Sequence, residues 1–357
     1  MDPHDDQAAS SAFAGPSEKP FSLLLLGDCM LGRLVNEALE GAPPEYPWGD
    51  TLPIIQSADW RLCNLECVIS DRGMPWSPRT KAFHFRSDAK NIATLEAAHI
   101  NAVSLANNHS LDYGYDAMFE MLEILDRAKI VYGGAGHNYA QASRLATSEA
   151  SGQKLGLLAF TDNEPEWEAT AGQPGVFYVP TDLDDSRATK LLDLIRESRR
   201  AVDLLIVSAH WGSNWGYRPP EAHVTFAHAL IDAGADVIFG HSCHVFRGIE
   251  FYHGRPIVYS AGNFVDDYAV DQIERNDQSF IFVLTVRNRL SRGLRLYPTL
   301  IRRCHASRAK GVHALRISDK MKELCAAFDT PTRWDQRLEC MEIAEFGSEE
   351  NKVPASV

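Results

Sequence analysis

The feature that most constrains this chain is an alternation. Through its first two-thirds, short apolar runs take turns with amphipathic stretches of helical period. Strands are expected at 21–27, 59–65, 100–106, 130–133, 154–161, 203–209 and 236–240. Helices are expected at 31–41, 87–98, 114–128, 182–200 and 219–233. Ala227, Leu230, Ile231 and Ala235 keep helical spacing up to the strand that Asp236 opens. Strands interleaved with helices predict an α/β fold. From residue 245 the pattern changes to closely spaced strand candidates at 245–252, 256–260, 279–287 and 294–302. The segment YHGRP at 252–256 has hairpin-turn chemistry. This second part is expected as an antiparallel or mixed sheet packed on the first.

In an α/β sheet the carboxyl ends of parallel strands share one edge, where ligands bind. Polar residues of this sequence gather at those ends. Asp28 follows the first strand, Asn64 and Glu66 the second, and Asn107, Asn108 and His109 the third. His210 ends the strand at 203–209, and His241 and His244 follow the one at 236–240. Singly, each has a plainer reading: Asp28 as a helix cap, the Asn pair as a turn, His210 as a core histidine. Together, carboxylate, amide and imidazole from five strand ends suit a divalent cation. In GHSCH, Gly240 permits a sharp exit from the strand, and a tight loop turns His241 and His244 toward one centre.

Composition removes several classes. The 357 residues are 45% hydrophobic and 23% charged, with a net charge of −13 and no Lys/Arg run, which argues against nucleic acid as a partner. No window reaches the ~18 apolar residues of a membrane span. Residues 1–20 are acidic, lack a basic-then-apolar pattern, and read as a disordered leader. Seven cysteines (29, 63, 67, 243, 304, 325 and 340) are scattered, with no CxxC, so neither a structural zinc nor a disulfide framework is expected. The expected location is cytoplasmic, without a membrane partner.

The segments GDCMLGR, NLECVISDRG, LANNHSLDYG, HWG, GHSCHVFRGIE and YSAGNF resemble, in order and over roughly residues 20–300, the motifs of CapA-type (poly-γ-glutamate capsule synthesis) proteins. These are a branch of the calcineurin-like metallophosphoesterase family. The resemblance implies a four-layer αββα sandwich of two mixed β-sheets as a catalytic domain over 21–303, followed by a helical extension and tail at 304–357. It implies Glu66, Asn108, His210 and His241 as metal ligands, with Asp28 and His244 at the neighbouring site. It implies His109 as the catalytic histidine, leaning on Asp71 or Asp112. One departure matters. Where the phosphoesterase pattern has Asp-x-His, this chain has Asp28-Cys29-Met30, and a thioether is a poor ligand for a hard cation. A two-metal clamp needs ions about 3.5–4 Å apart. One firmly bound divalent ion is therefore expected, Ca or Mn first, then Zn, Mg or Fe. Asp28 and His244 are then expected to form an Asp–His pair beside it.

One cation flanked by two Asp/His pairs has the logic of a two-base epimerase. The resemblance extends to the lasso-peptide epimerase branch, which inverts the C-terminal tryptophan of a precursor peptide, so a precursor peptide is the expected partner. Aromatic residues near the motifs (Trp48, Trp76, Phe83, Phe85, Trp211, Trp215 and Tyr217) fit such a substrate, with Trp211 and Trp215 as direct contacts. The loop MPWSPRTKAFHFRSD offers Arg79, Lys81 and Arg86 to a terminal carboxylate; its plainer reading is a solvated basic turn. Asn263 and Asp266-Asp267 either border the site or form a turn. The alternative is a CapA-like metallohydrolase of a phosphoester or poly-γ-glutamate-type amide, with His109 as proton donor. A metal-stabilised binding module comes third.

Overall fold

In a computed structural model, which describes residues 20–78, 80–287 and 290–343, the first strand sorts its side chains between two cores. Positions 1–19, Arg79 and the tail from 344 lie outside the described residues. Along Phe21–Cys29, Phe21, Leu23 and Leu25 enter one core, and Leu24 and Leu26 the other. That is the period-2 consequence of a strand buried on both faces. It fixes the strand between a second sheet on one side and helices on the other.

The first sheet has ten strands. One end of it is a parallel run: Phe21–Cys29, Trp60–Leu65, Ala102–Ser104 and Val131–Gly133. The second sheet has six strands, with Gln153–Thr161, Leu204–His210, Val237–His241 and Arg255–Val258 in parallel and an antiparallel strand at each end. Leu23, Leu25 and Leu62 meet Leu157, Ile206 and Phe239 between the sheets. Outside the first sheet, Leu24, Leu26 and Cys63 share a core with Met118, Met121 and Leu125 of the helix Gly114–Ala128. Outside the second, Phe160, Val207 and Ile238 pack with Leu191 and Ile195 of Ser186–Ser198 and Leu230 and Ile231 of Glu221–Ala233. Three cores between four layers make an αββα sandwich of two mixed sheets, the calcineurin-like arrangement.

The strands after 245 do not form a sheet of their own. Ile249–Tyr252 and Arg255–Val258 close one edge of the second sheet as a hairpin, with His253 and Gly254 at φ 50° and 73°. Two consecutive positive φ values mark a type I′ turn. Gln278–Arg287 and Leu290–Arg302 instead join the first sheet, where the former pairs antiparallel with Phe21–Cys29 from Phe21↔Val286 to Leu25↔Phe282. An apolar strand with a bare edge is an aggregation hazard, and this pairing covers it. The segment from 304 is more than a helical extension. It carries the helix Gly311–Ala326, but also His305–Arg308, Thr332–Asp335 and Cys340–Ile343, all within the first sheet. No described helix is long and apolar enough to cross a membrane.

Register sets the site. Asp28 stands opposite Asn64 on one neighbour and Asn263 on the other, and His210 stands opposite His241. At Gly27 the chain passes so close to the carbonyl of Gly262 that a Cβ would overlap the oxygen, and Asp28 N donates to the same oxygen at 3.0 Å. Gly27→Ala is expected to lose at least about 2 kcal/mol of unfolding free energy in urea titrations, because backbone must move. Gly41→Ala, with nothing within 4 Å of its Cβ, is expected to stay within about 0.5 kcal/mol of the parent.

Candidate functional site

The strand ends bring buried carboxylates together. Asn64 donates from Nδ2 to Asp28 Oδ1 at 2.8 Å, and Ser242 N lies 3.4 Å from Oδ2. Glu66 is fully buried, and among the described residues neither carboxylate oxygen has a hydrogen-bond partner. His210 Nε2 lies 3.9 Å from Glu66 Oε1. Burial pushes Asp28 up to about 7, against the hydrogen bonds from Asn64 and Ser242. Burial also drives Glu66 well above the usual carboxylate range, with the charges of Asp28 and Asp266 adding to it. Asp266, whose Oδ2 is likewise orphaned, is pushed up to about 7 by burial. Uncompensated buried anionic oxygens are costly, and a cation is the partner this chemistry fits.

The imidazoles face the same place. His210 Nδ1 and His241 Nδ1 are 2.8 Å apart. The far nitrogens are oriented by Asn108 Oδ1, 2.9 Å from His210 Nε2, and Ser208 Oγ, 2.7 Å from His241 Nε2. The GHSCH loop turns sharply, with Ser242 at φ 106° and His244 at φ 59°. Burial lowers His241 to about 3, His210 well below its ordinary value, and His244 below it too. Neutral rings keep the lone pairs that a metal needs. Asp28, His210 and His241 bring one ligand atom each within 4.8 Å of one another, and Asp28, Glu66 and His244 do the same. The two groups share Asp28. The expected Asp28–His244 pair takes a different form: His244 Nδ1 meets Asn263 Oδ1 at 2.9 Å and lies 4.0 Å from Asp28. The register that sets Asn263 beside Asp28 gives the imidazole a nearer partner.

The choice between Asp71 and Asp112 resolves by distance. His109 Nδ1 is 2.6 Å from Asp112 Oδ2. Asp112 also accepts from Phe85 N at 2.7 Å and Lys81 Nζ at 2.6 Å. Asp71 instead accepts from Ala89 N at 2.8 Å on an exposed turn, away from the imidazole. His109 stacks on Phe85 with ring centroids 4.0 Å apart. Burial lowers it to about 4, although Asp112 pulls the other way.

A cavity of about 420 Å³ opens before these groups, lined by His109, His244, Lys81, Arg33, Phe83 and Trp215 among others. The substrate residues expected from sequence separate here. Trp215 is 45% exposed, its ring 6.1 Å from His244. Trp211 is fully buried, stacked on His223, and donates to Tyr259 O at 2.9 Å. It directly follows His210 and enters the helix-side core, because successive side chains leave a strand on opposite faces. Lys81 reaches the cavity but is held by Asp112, the Asn108 carbonyl and the Trp167 ring. Arg86 lies over Tyr113, 4.4 Å from the centroid, and does not line the cavity. Sequence reasoning missed Arg33, Ser208 and Tyr268. Only Arg33 carried a signal, as the last residue of GDCMLGR.

The family model described as bacterial capsule synthesis protein PGA_cap matches residues 22–268. A "probable polyglutamine synthesis accessory protein" of Mycobacterium tuberculosis is 32% identical over 375 residues, covering 92% of this chain and 98% of that protein. The capsule biosynthesis protein CapA of Bacillus anthracis is 29% identical, covering 69% of this chain and 60% of that one. The PGA biosynthesis protein CapA of Bacillus subtilis is 29% identical, covering 70% and 64%. The chain thus spans less than two-thirds of either CapA protein.

The carboxylates make a pH-dependent prediction. With its pKa raised from 3.8 to about 7, Asp28 contributes stability that is full below about pH 4 and lost as pH rises through 7, since the folded state there holds the extra proton. A divalent cation takes the proton's place. The rise in Tm on adding Mn²⁺ or Ca²⁺ is therefore expected to be larger at pH 8 than at pH 5 by calorimetry. Glu66→Gln should reduce that rise at both.

Proposed function

This chain belongs to the bacterial capsule synthesis protein (PGA_cap) family, and from that premise we propose that it is a metal-dependent hydrolase of a glutamate-type polyamide. The carrying observation is the partnerless, fully buried carboxylate of Glu66, set beside Asp28 and the imidazoles next to the His109–Asp112 pair. The names of the relatives, polyglutamine synthesis and PGA biosynthesis, support the substrate class.

Asp28, Glu66, His210, His241 and His244 would hold the ion, with Asn108 beside His210. When bound, the cation supplies Lewis-acid polarisation of a substrate carbonyl. The remaining work belongs to the chain. Asp112 accepts a hydrogen bond from Nδ1–H of His109 and fixes the tautomer, so Nε2 is the atom that exchanges a proton with substrate. Lys81 and Phe85 N hold the carboxylate in place. Phe85, stacked on the imidazole, excludes water from one face.

The second reading is the two-base epimerase with a Trp-ending precursor peptide as partner. Its support is that His109 and His244 both line the cavity. Against it, the nearer partner of His244 is an amide rather than a carboxylate, which gives a base less support.

Three measurements separate the readings. His109→Gln is expected to slow release of amine ends from poly-γ-glutamate by about 10²–10⁴-fold, with metal content unchanged. In D₂O, hydrolysis leaves the Cα protons of the product in place. One deuterium at Cα of an intact Trp-ending peptide would establish the epimerase instead. Elemental analysis should give about one divalent ion per chain, because Met30 Sδ is buried against Gly32 N at 3.1 Å and is a poor ligand. Two ions would mean that both groups around Asp28 fill.

A further inference from the structure

We infer that Arg33 is the carboxylate anchor of the catalytic cavity, so that the site selects a chain presenting a free carboxylate at its mouth. The inference rests on the polyamide reading for the identity of that chain, but not for the chemistry of the anchor.

Arg33 has φ 51°, a left-handed conformation that residues with side chains avoid. Its guanidinium lies over three aromatic rings, with Cζ 5.6 Å from the centroid of Phe83, 5.5 Å from Phe85 and 6.0 Å from Tyr268. Nε pairs with Asp267 Oδ2 at 3.2 Å, and the same oxygen accepts from Leu34 N at 2.9 Å. The planar fork is thus held by its inner edge and its faces. Among the described residues its ion pairing is through Nε, which leaves the outer edge for a ligand. The Arg33 side chain is 37% exposed while that of Asp267 is 1% exposed, so the cation is offered to the cavity and its counterion is not.

Lys81 is engaged with Asp112 and Arg86 lies over Tyr113, while Arg79 lies outside the described residues. Glu66, Asp28 and Asp112 lie buried behind His109 and His244, and their charge would repel an anion entering without guidance. A guanidinium fixed at the mouth overcomes that repulsion and orients the chain, because a planar fork binds a carboxylate edge-on through two donors. Phe85 links the two ends of the site, with His109 stacked on its ring and Arg33 over it. Phe83, 60% exposed, and Trp215 offer apolar walls for the methylenes of a glutamate-type side chain.

The test is fluorescence anisotropy on the full chain with two labelled probes: a γ-linked glutamate pentamer and a Trp-ending peptide, each as free acid and as amide. The wild type is expected to prefer the free acid of the pentamer, and Arg33→Gln to lose about 10–100-fold of that preference with metal content unchanged and a lowered Tm, since Asp267 loses its ion-pair partner. Arg33→Lys, which keeps the charge but not the fork, should retain an intermediate preference, and it serves as the readout if the Gln variant fails to fold. Preference confined to the Trp-ending peptide and lost in Arg33→Gln supports the anchor while removing the polyamide reading. A wild type with no preference in either probe, or Arg33 variants that keep the full wild-type preference, overturns the assignment.

Discussion

Carboxylates buried without a neutralising side chain govern how this molecule is put together at the edge of its sheets. Among the described residues Glu66 has no hydrogen-bond partner, and Asp28 has an amide and one long backbone contact. Removing such groups from water is costly unless charge is supplied. The surroundings are ordered accordingly. His210 and His241 are paired by strand register, His244 is aimed by a left-handed turn, and all three are kept neutral by burial. The register of the first strand, which places Asn64 and Asn263 on either side of Asp28, sets the positions of the remaining polar groups. The αββα sandwich is the frame that makes this register rigid, since both faces of each sheet are buried.

Much of the fold was legible because strands buried on both faces read as continuous apolar runs, and the polar residue that breaks each run marks the strand end. Asp28, Glu66, His210 and His241 were found that way. What failed depended on facts a linear pattern does not carry. Whether the strands after 245 stay together is a question of which edge needs covering, and the bare edge of Phe21–Cys29 took Gln278–Arg287. Asp71 and Asp112 both stand near His109 or another motif in sequence. The distinction came from Ala89 N, which engages Asp71 on an exposed turn. Trp211 looked like a substrate contact because it adjoins His210, yet adjacency in a strand means opposite faces. Arg33 escaped notice because its placement needs a backbone angle that composition does not announce.

The substitution of Met30 for a histidine takes on a different weight in three dimensions. By sequence it separated Asp28 from metal binding and paired it with His244. In the structure Asp28 is the residue common to both candidate ligand groups, and Asn263 stands in the partner's role. The missing histidine therefore lowers the number of donors without relocating the carboxylate.

Asp112 collects three donors from separate parts of the chain: the imidazole of His109, the ammonium of Lys81 and the amide of Phe85. Two of these belong to the segment that also forms the cavity wall. The wall and the His109 imidazole are thereby a single interlock. A change in that segment acts on the contacts that orient the carboxylate and, through the carboxylate, on the imidazole. The shape of the cavity and the orientation of the imidazole therefore hang on one carboxylate, and neither can be altered alone.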